Sequence, residues 1–307
     1  MLQGSAILLL SLGYLGLLFA IAHLGDRLGP RWYQGRSGAT IYALSLAIYC
    51  TSWTFYGSVG RAALTGLDFI LIYVGPVLAI TVAYPVMAKM IGVAKRQNVT
   101  SIADFIGSRY GKSRAVAVIV TLIAVIGVLP YISLQMQAVS VTFEVLVGSD
   151  MAHLLNAGLP PPWRDTAIFV AAIMALFTIL FGVRHVQAAE QHRGMMLAIA
   201  FESLVKLAAF LAVGLFVTFG LFDSSAELLE RATANPAIAE RLNSGLGSNW
   251  VVMTFLSAFA FLCLPRQFHV AVVENGDPSS LKAARWLFPT YLIAINLFVV
   301  PIAVAGL

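Results

Sequence analysis

The sequence predicts an all-α polytopic membrane protein. Of its 307 residues, 60% are hydrophobic and only 11% are charged, whereas soluble domains average about 45–50% apolar and about 25% charged residues. The mean hydropathy is +0.87, and the long apolar runs lack the ten-residue alternation of transmembrane strands. So little polar surface cannot cover a water-exposed exterior, which excludes a soluble globular protein and predicts a lipid bilayer as the partner.

Eight apolar stretches approach the roughly 20 residues that a helix needs to cross a bilayer core. In chain order, spans 1 to 8 are residues 6–24, 41–60, 69–88, 115–143, 167–183, 195–221, 246–265 and 286–307. The first has no basic segment before it and no cleavage pattern after it, so it is expected to be retained. The chain stops inside an apolar run, which predicts a fragment of a longer protein.

Basic residues orient the spans. Of the 19 Lys and Arg residues, 14 lie in or beside the loops after spans 1, 3, 5 and 7, four lie in the other loops, and Lys206 lies within span 6. Because short cytoplasmic loops are enriched in Lys and Arg, the N-terminus is predicted to be periplasmic. This clustering between apolar runs explains the net charge of +5 without a nucleic-acid partner. The external connection 223–249 is expected to form one or two short interfacial helices.

Enzymatic chemistry is not predicted for these residues. Cys50 and Cys263 both lie in apolar segments, without the spacing of a disulfide framework or a CxxC metal site. The sequence contains no GxGxxG, no nucleophile elbow and no phospho-acceptor histidine box. No catalytic residue is therefore assigned. His185, His192 and His269 fall at cytoplasmic span ends, where we expect interfacial or solvated side chains rather than metal binding or proton transfer.

Three spans have irregular sequences. Span 2 carries hydroxyls, β-branched residues and glycine between Cys50 and Gly57, span 4 contains Pro130, and span 7 ends on Leu264 and Pro265. Discontinuous helices of this kind bind solutes and ions in transporters through freed backbone groups. Alternatively, the small residues serve close helix packing and Pro130 is a tolerated kink. The residues alone leave both interpretations open.

Symmetry favours pairing spans 2 and 7. If spans 2 to 6, residues 41–221, form a five-helix repeat, the next repeat must begin at span 7 in inverted orientation. Residues 246–307 are then its first two helices, and 6–24 is an extra N-terminal helix. We treat 1–307 as a single transmembrane domain.

Span 6 contains a charged pair. Glu202 and Lys206 stand four residues apart, in the order that favours an ion pair on one helix face. A charge at membrane depth is costly, so each is expected to pair or to face a cavity. The pair is interpreted either as a relay or gate, or as a structural link to another helix.

Several motifs resemble the sodium/solute symporter family. Residues 98–114 read NVTSIADFIGSRYGKSR, similar to its S/T-x-x-D-F-x-x-x-R-Y-G-x-S-R loop. Other matches follow in the family order: Trp53, Gly57 and Gly60 in the first broken helix, Phe143, Glu144 and Gly148, residues 182–190, and Pro265. The sequences of four segments resemble one branch of the family more closely, the symporter-like N-terminal domains of CbrA-like bacterial sensor histidine kinases. These segments are residues 130–135, 200–206, 264–270 and 285–289.

The resemblance implies a LeuT-type inverted-repeat bundle with about 13 spans, of which about eight are present. It implies a sodium site at the backbone carbonyls of Ala47 and Cys50, and an acidic ion-path position at Glu190. The implied solute contacts are Thr51, Ser52, Trp53, Tyr56, Gln135, Ser257 and Phe261. Tyr49 stands where sodium/proline symporters carry an aspartate, and the hydroxyl pair of the sodium site would lie beyond Leu307.

Three functions follow as hypotheses. The first is uptake of a small solute, such as histidine or another amino acid, across the bacterial inner membrane, with sodium as a candidate coupling ion. The second is a non-transporting receptor that signals to a cytoplasmic histidine kinase and its response regulator. The first two are compatible in one full-length protein, and the altered ion position at Tyr49 favours combined transport and sensing. The third is a structural membrane subunit without a ligand.

Overall fold

The computed structural model describes residues 4–28, 30–33, 35–148, 166–177, 192–222, 224–243 and 245–307. Every regular element in these ranges is helical, which confirms the predicted all-α class. Five helices of the described residues are long and apolar enough to cross a membrane, or six if a bent pair counts as one span. The sequence predicts eight. One of the five, Trp53–Thr81, joins the second half of predicted span 2 to the first part of predicted span 3, and span 5 is described only in part.

The α-helices are numbered here in chain order. They are α1 Gly4–Arg27, α2 Gly35–Ser45, α3 Ser58–Thr65, α4 Leu71–Thr81, α5 Tyr84–Gln97, α6 Ile102–Arg109, α7 Arg114–Val147, α8 Thr166–Phe177, α9 Arg193–Phe216, α10 Ser225–Ala234, α11 Pro236–Asn243, α12 Trp250–Cys263, α13 Pro265–Phe268, α14 Ser280–Asn296 and α15 Val299–Ala305. Short 3₁₀ and π segments join several of them.

The chain divides into two compact units. One comprises Met1–Ala20 and Leu122–Glu190, and the other comprises Ile21–Thr121 and Gln191–Leu307. The described part of the first unit consists of most of α1 and α7, together with α8. The second unit holds the extensive buried core and all of the contacts described below.

Predicted span 2 is not one helix. After α2 the chain continues as a 3₁₀ turn, Leu46–Tyr49, and becomes extended at Cys50, where ψ is 111°. It resumes as a π-helical turn, Trp53–Gly57, before α3. The interruption therefore falls within the cluster of hydroxyl and small residues that predicted it.

Predicted span 7 is also interrupted, but it does not end at Pro265. Leu264 is extended after α12, and Pro265 then begins α13, where its missing N–H costs nothing. A π-helical turn, His269–Val273, follows, and the two halves are bent by 59°. Arg266 thus belongs to this helix and not to the loop after it.

Two other boundaries differ from the prediction. Span 3 divides into α4 and α5, because Pro85 lies in the first turn of a new helix. Span 8 begins at Ser280 rather than at residue 286, since the Asp277 carboxylate accepts the Ser279 backbone N–H at 2.9 Å and sets up the turn before α14. Lys282 and Arg285 consequently lie on the helix.

The core of the second unit surrounds α2. This helix packs against α9 and α14, while α4 packs along α12. A helix can approach another this closely where it carries no side chain, and Gly75 of α4 fills that role. A Cβ atom built on Gly75 would lie closer than 3.0 Å to three atoms of α12, two of them backbone.

Capping side chains fix the short helices. Ser101 accepts the Asp104 backbone N–H at 3.1 Å and begins α6, within the loop that resembles the symporter motif. Ser224 likewise accepts the Glu227 backbone N–H at 3.1 Å and begins α10. Helices α10 and α11 confirm the prediction of short helices in residues 223–249, and buried Leu228 anchors α10 in a small apolar cluster.

Candidate functional site at two interrupted helices

The first interruption presents backbone carbonyl groups to three different donors. The Leu46 carbonyl accepts the Gln267 side-chain amide at 3.1 Å, and the Ala47 carbonyl accepts the Cys50 N–H at 2.9 Å. The Cys50 carbonyl accepts the Lys206 ammonium, with an Nζ to O distance of 3.3 Å. Both carbonyls implied as sodium ligands, those of Ala47 and Cys50, therefore already accept a hydrogen bond from this chain.

Lys206 links α9 to the interruption. Its ammonium also lies 2.7 Å from the Glu202 carboxylate, and the side chains are only 24% and 32% exposed. The ion pair expected from the spacing is thus formed. Lys206 additionally bonds a distant segment of the chain, as expected if the pair is a structural link between elements. That second partner is Cys50, at the break itself, so the same contact also suits a gate.

The second interruption lies beside the first. Gln267 of α13 is fully buried and donates to Leu46, while its own Oε1 has no hydrogen-bond donor among the described residues. The Tyr42 hydroxyl of α2 donates to the Ala271 carbonyl of the π-helical turn at 2.7 Å. Two side chains therefore connect the interrupted helices at the positions where their backbones are irregular.

Aromatic packing fills the space beside the breaks. Phe261 is fully buried and lies edge-on to Tyr49 at 6.0 Å between ring centroids. Its other face stacks on Phe288 of α14 at 5.3 Å. Phe261 thus lies in the core next to the first interruption. The Tyr49 hydroxyl donates to the Ile72 carbonyl at 2.8 Å, so this side chain is held between the first interruption and α4.

The implied solute-binding residues have different environments. Thr51, Ser52 and Trp53 are half-buried at the first interruption, and Trp53 lies 6.4 Å from the Tyr73 ring. Tyr56, one turn further on, is 55% exposed. Thr51, Ser52 and Trp53 are therefore the group that the structure brings together at the break.

Ser257 and Gln135 lie on two other helices, α12 and α7. The Ser257 hydroxyl is buried and donates towards the Leu71 and Thr254 carbonyls, each at 2.9 Å, in the contact between α12 and α4. Gln135 lies on α7 in the other compact unit. Glu190 falls outside the described residues.

Removing the Tyr42 hydroxyl tests the connection between the interrupted helices. Tyr42→Phe is expected to destabilise the protein by about 1–3 kcal/mol, because a buried carbonyl at Ala271 loses its side-chain donor. Tyr110→Phe, in which the ring is 63% exposed, should change stability by less than about 0.5 kcal/mol. Thermal unfolding in detergent measures both. Equal stability of the two variants would show that the Tyr42 contact contributes nothing.

A second polar feature lies in the same unit, and no motif in the sequence predicts it. Glu274, immediately after the π-helical turn, accepts hydrogen bonds from His192 and His269 at 2.8 and 3.0 Å. Burial by itself would raise the pKa of the Glu274 carboxyl, but the hydrogen bonds and charges of the two histidines lower it below its ordinary value. The carboxylate is therefore ionised at neutral pH.

Glu274 also lines a cavity of about 430 Å³. The cavity lies among the start of α2, the start of α9 and the segment before α14. It carries charges of both signs, from Arg193, Glu274 and Asp277, beside the aromatic rings of Tyr33 and Tyr42. Its volume is within the range of small-molecule sites.

The fold and the paired interruptions define a polytopic helical membrane protein with irregular backbone at its core. The chain is similar to the uncharacterized symporter YodF of Bacillus subtilis (strain 168), with 26% identity over 147 residues. The match covers 48% of this chain and 27% of YodF, so the chain spans about a quarter of that relative's length. No protein-family model and no solved structure matches the chain. The similarity supports a relationship to symporters.

Proposed function

We propose that the chain is the transport domain of a membrane protein that moves a small solute across the bacterial inner membrane. The observation that carries this proposal is the contact between two interrupted helices, made through Gln267 and Tyr42. Irregular backbone at membrane depth is tolerated where it is enclosed by protein or lines a cavity, and transporters use it to bind their solutes. The similarity to a symporter supports the same conclusion.

In this proposal the solute binds at Thr51, Ser52 and Trp53. These side chains stand where the first helix is interrupted, so that two hydroxyl groups and an indole can converge on one ligand. Phe261 and the Tyr49 ring close the adjacent space. The proposed movement is a rocking of helix groups in a LeuT-type inverted repeat.

The cation at the first interruption is proposed to be the Lys206 ammonium. It bonds the Cys50 carbonyl, which the family resemblance assigns to sodium, and Glu202 neutralises its charge. The tethered ammonium supplies a positive charge and donates a hydrogen bond to the carbonyl oxygen. A bound Na⁺ would supply the same charge and would be coordinated by the same oxygen. Solute movement is therefore expected to proceed without sodium.

An amino acid is the proposed solute class, with histidine as the first candidate from the resemblance to CbrA-like proteins. A cytoplasmic histidine kinase module is the proposed partner. If the domain binds solute without moving it, the alternative function is a receptor for that kinase.

Uptake of radiolabelled histidine and other amino acids by the protein from the complete gene, reconstituted in liposomes, tests the proposal. Thr51→Val and Trp53→Ala should each reduce uptake at least about tenfold, the effect of losing about 1.4 kcal/mol of binding. Thr65→Val and Trp32→Ala are matched controls, since Thr65 bonds its own helix and Trp32 is 58% exposed. Both controls should retain uptake.

The uptake and binding results distinguish a transporter from a receptor and from a structural subunit. Uptake that is unchanged when choline replaces sodium supports the Lys206 assignment, and strict sodium dependence contradicts it. Saturable solute binding without uptake identifies a receptor. Full solute response in both site variants would identify the Cys50–Tyr56 cluster as packing, and would favour a structural subunit.

A further inference from the structure

The His192, His269 and Glu274 side chains form a compact three-ligand cluster. One nitrogen of each imidazole, His192 Nδ1 and His269 Nε2, approaches the same carboxylate oxygen, Glu274 Oε1, at 2.8 and 3.0 Å. All three atoms lie within 4.8 Å of one another. The cluster joins the residue before α9 to the end of the second interrupted helix, 82 positions apart in the chain.

Local backbone geometry holds this arrangement. The Glu274 N–H donates to the His269 carbonyl at 2.9 Å, an i to i+5 bond that places these two side chains on one face of the π-helical turn. The second carboxylate oxygen accepts the His192 backbone N–H at 3.0 Å. Glu274 is therefore fixed by backbone bonds at both ends, and its side chain is only 2% exposed.

The histidines, by contrast, reach the surface. Their side chains are 45% and 34% exposed, so an ion can enter from solvent and keep one coordination position open to water. Two imidazole nitrogens, one carboxylate oxygen and an open position form the ligand set that zinc takes in many proteins. Mg²⁺ and Ca²⁺ prefer oxygen ligands, which this cluster supplies only once.

We propose that His192 Nδ1, His269 Nε2 and Glu274 Oε1 bind a divalent transition-metal ion of the zinc class. Ligand atoms at about 2.0–2.2 Å from a tetrahedral zinc are about 3.4 Å apart. The two N to O distances must therefore lengthen by about half an ångström, which the exposed imidazoles allow by small rotations. The ion would replace the protons that the nitrogens now share with the carboxylate.

The proposed ion would tie α9 to the second interrupted helix. His192 directly precedes α9, and His269 begins the π-helical turn, so the metal would add a link between these two segments, whose histidine rings lie 6.3 Å apart. The proposal stands on the geometry of the cluster and does not depend on the proposed transport function. It revises the expectation that these histidines are only interfacial or solvated.

Calorimetric titration of ZnCl₂ into the full chain in detergent micelles tests the site. A Cys263→Ser background removes an exposed thiol that could compete for the metal. One equivalent of Zn²⁺ should bind, and MgCl₂ at the same concentration should not. His192→Gln and His269→Gln should each weaken Zn²⁺ binding at least about 100-fold, since even outer-shell changes cost about 10–100-fold.

Controls distinguish this site from adventitious binding. His23→Gln changes an exposed histidine outside the cluster and should leave Zn²⁺ affinity unchanged. Because Glu274 is buried, Glu274→Gln is used only if its thermal unfolding matches that of the parent. Unaltered affinity in the His192→Gln/His269→Gln double variant, or no saturable binding to the parent chain, overturns the proposal.

Discussion

Lys206→Ala is expected to reduce solute uptake at least about 100-fold in sodium-free buffer, and sodium should restore a large part of that loss. The variant removes the ammonium from the Cys50 carbonyl and opens a space beside it. The Glu202 carboxylate remains there to attract a replacement cation. The positive charge bonded to these two groups is lost, so a small free cation becomes the available partner for both the carbonyl and the carboxylate.

Lys206→Met provides the matched comparison. Methionine fills most of the volume of the lysine stem and leaves no space for Na⁺, so uptake by this variant should stay low at every sodium concentration. Liposome uptake over a sodium series measures both variants. Equal recovery of both by sodium, or full uptake by Lys206→Ala without it, would contradict the assignment of Lys206 as the resident cation.

The free energy of unfolding should also depend on the Glu202–Lys206 ion pair. Lys206→Met leaves Glu202 without its partner, which costs about 3–5 kcal/mol in a fully buried pair; partial exposure should reduce this to about 2–3 kcal/mol. Glu202→Gln/Lys206→Met should recover most of the difference, because no unpaired charge remains. The coupling is obtained from a double-mutant cycle of unfolding free energies in detergent.

Gly75→Ala is expected to destabilise the second unit by about 3 kcal/mol. The added methyl group would overlap Ser257 Oγ and two backbone atoms of α12, the Ala258 nitrogen and the Thr254 carbonyl oxygen. Overpacking of this kind typically costs about 1–3 kcal/mol, and the backbone atoms cannot rotate away as a side chain can. Helices α4 and α12 must then separate, which also lengthens the Ser257 to Leu71 bond.

The matched control is Gly92→Ala. A Cβ atom at Gly92 on α5 meets nothing within 4 Å, so alanine should be neutral or stabilise by up to about 1 kcal/mol through its helix propensity. Ser257→Gly combined with Gly75→Ala should recover only part of the loss, since the two backbone contacts remain. Thermal unfolding reports all three variants, and no difference between the two alanine substitutions would refute the close-approach argument.

Local sequence features were sufficient for the interruptions in spans 2 and 7, whereas in span 4 the helix α7 continues through Pro130. The hydroxyl and small residues between Cys50 and Gly57 weaken a helix locally, and Pro265 cannot continue one, so both breaks follow from residue chemistry. Glu202 and Lys206 were predictable because their spacing matches the helical repeat. The partner of Lys206 at Cys50 was not, since it depends on how α9 packs against a distant segment.

The cluster of His192, His269 and Glu274 could not be predicted from the spacing of its residues. In an α-helix, positions five apart point about 140° away from each other, so His269 and Glu274 give no pattern at the usual spacing. Only the π-helical turn aligns them, and its hydrogen bond is a tertiary outcome of the bent helix. Ser257, a hydroxyl expected to contact solute, bonds carbonyl groups at the contact between α12 and α4, a contact that its place in the sequence does not predict.

The π-helical turns also bear on how sequences of this type should be compared. Each such turn holds one residue more than a turn of α-helix, so it behaves as a one-residue insertion at the end of the helix that it adjoins. The turns at Trp53–Gly57, Val217–Leu221 and His269–Val273 are three such positions among the described residues. Relatives lacking these turns should align with single-residue gaps at these helix ends, and an alignment that forbids such gaps would shift the neighbouring residues by one position.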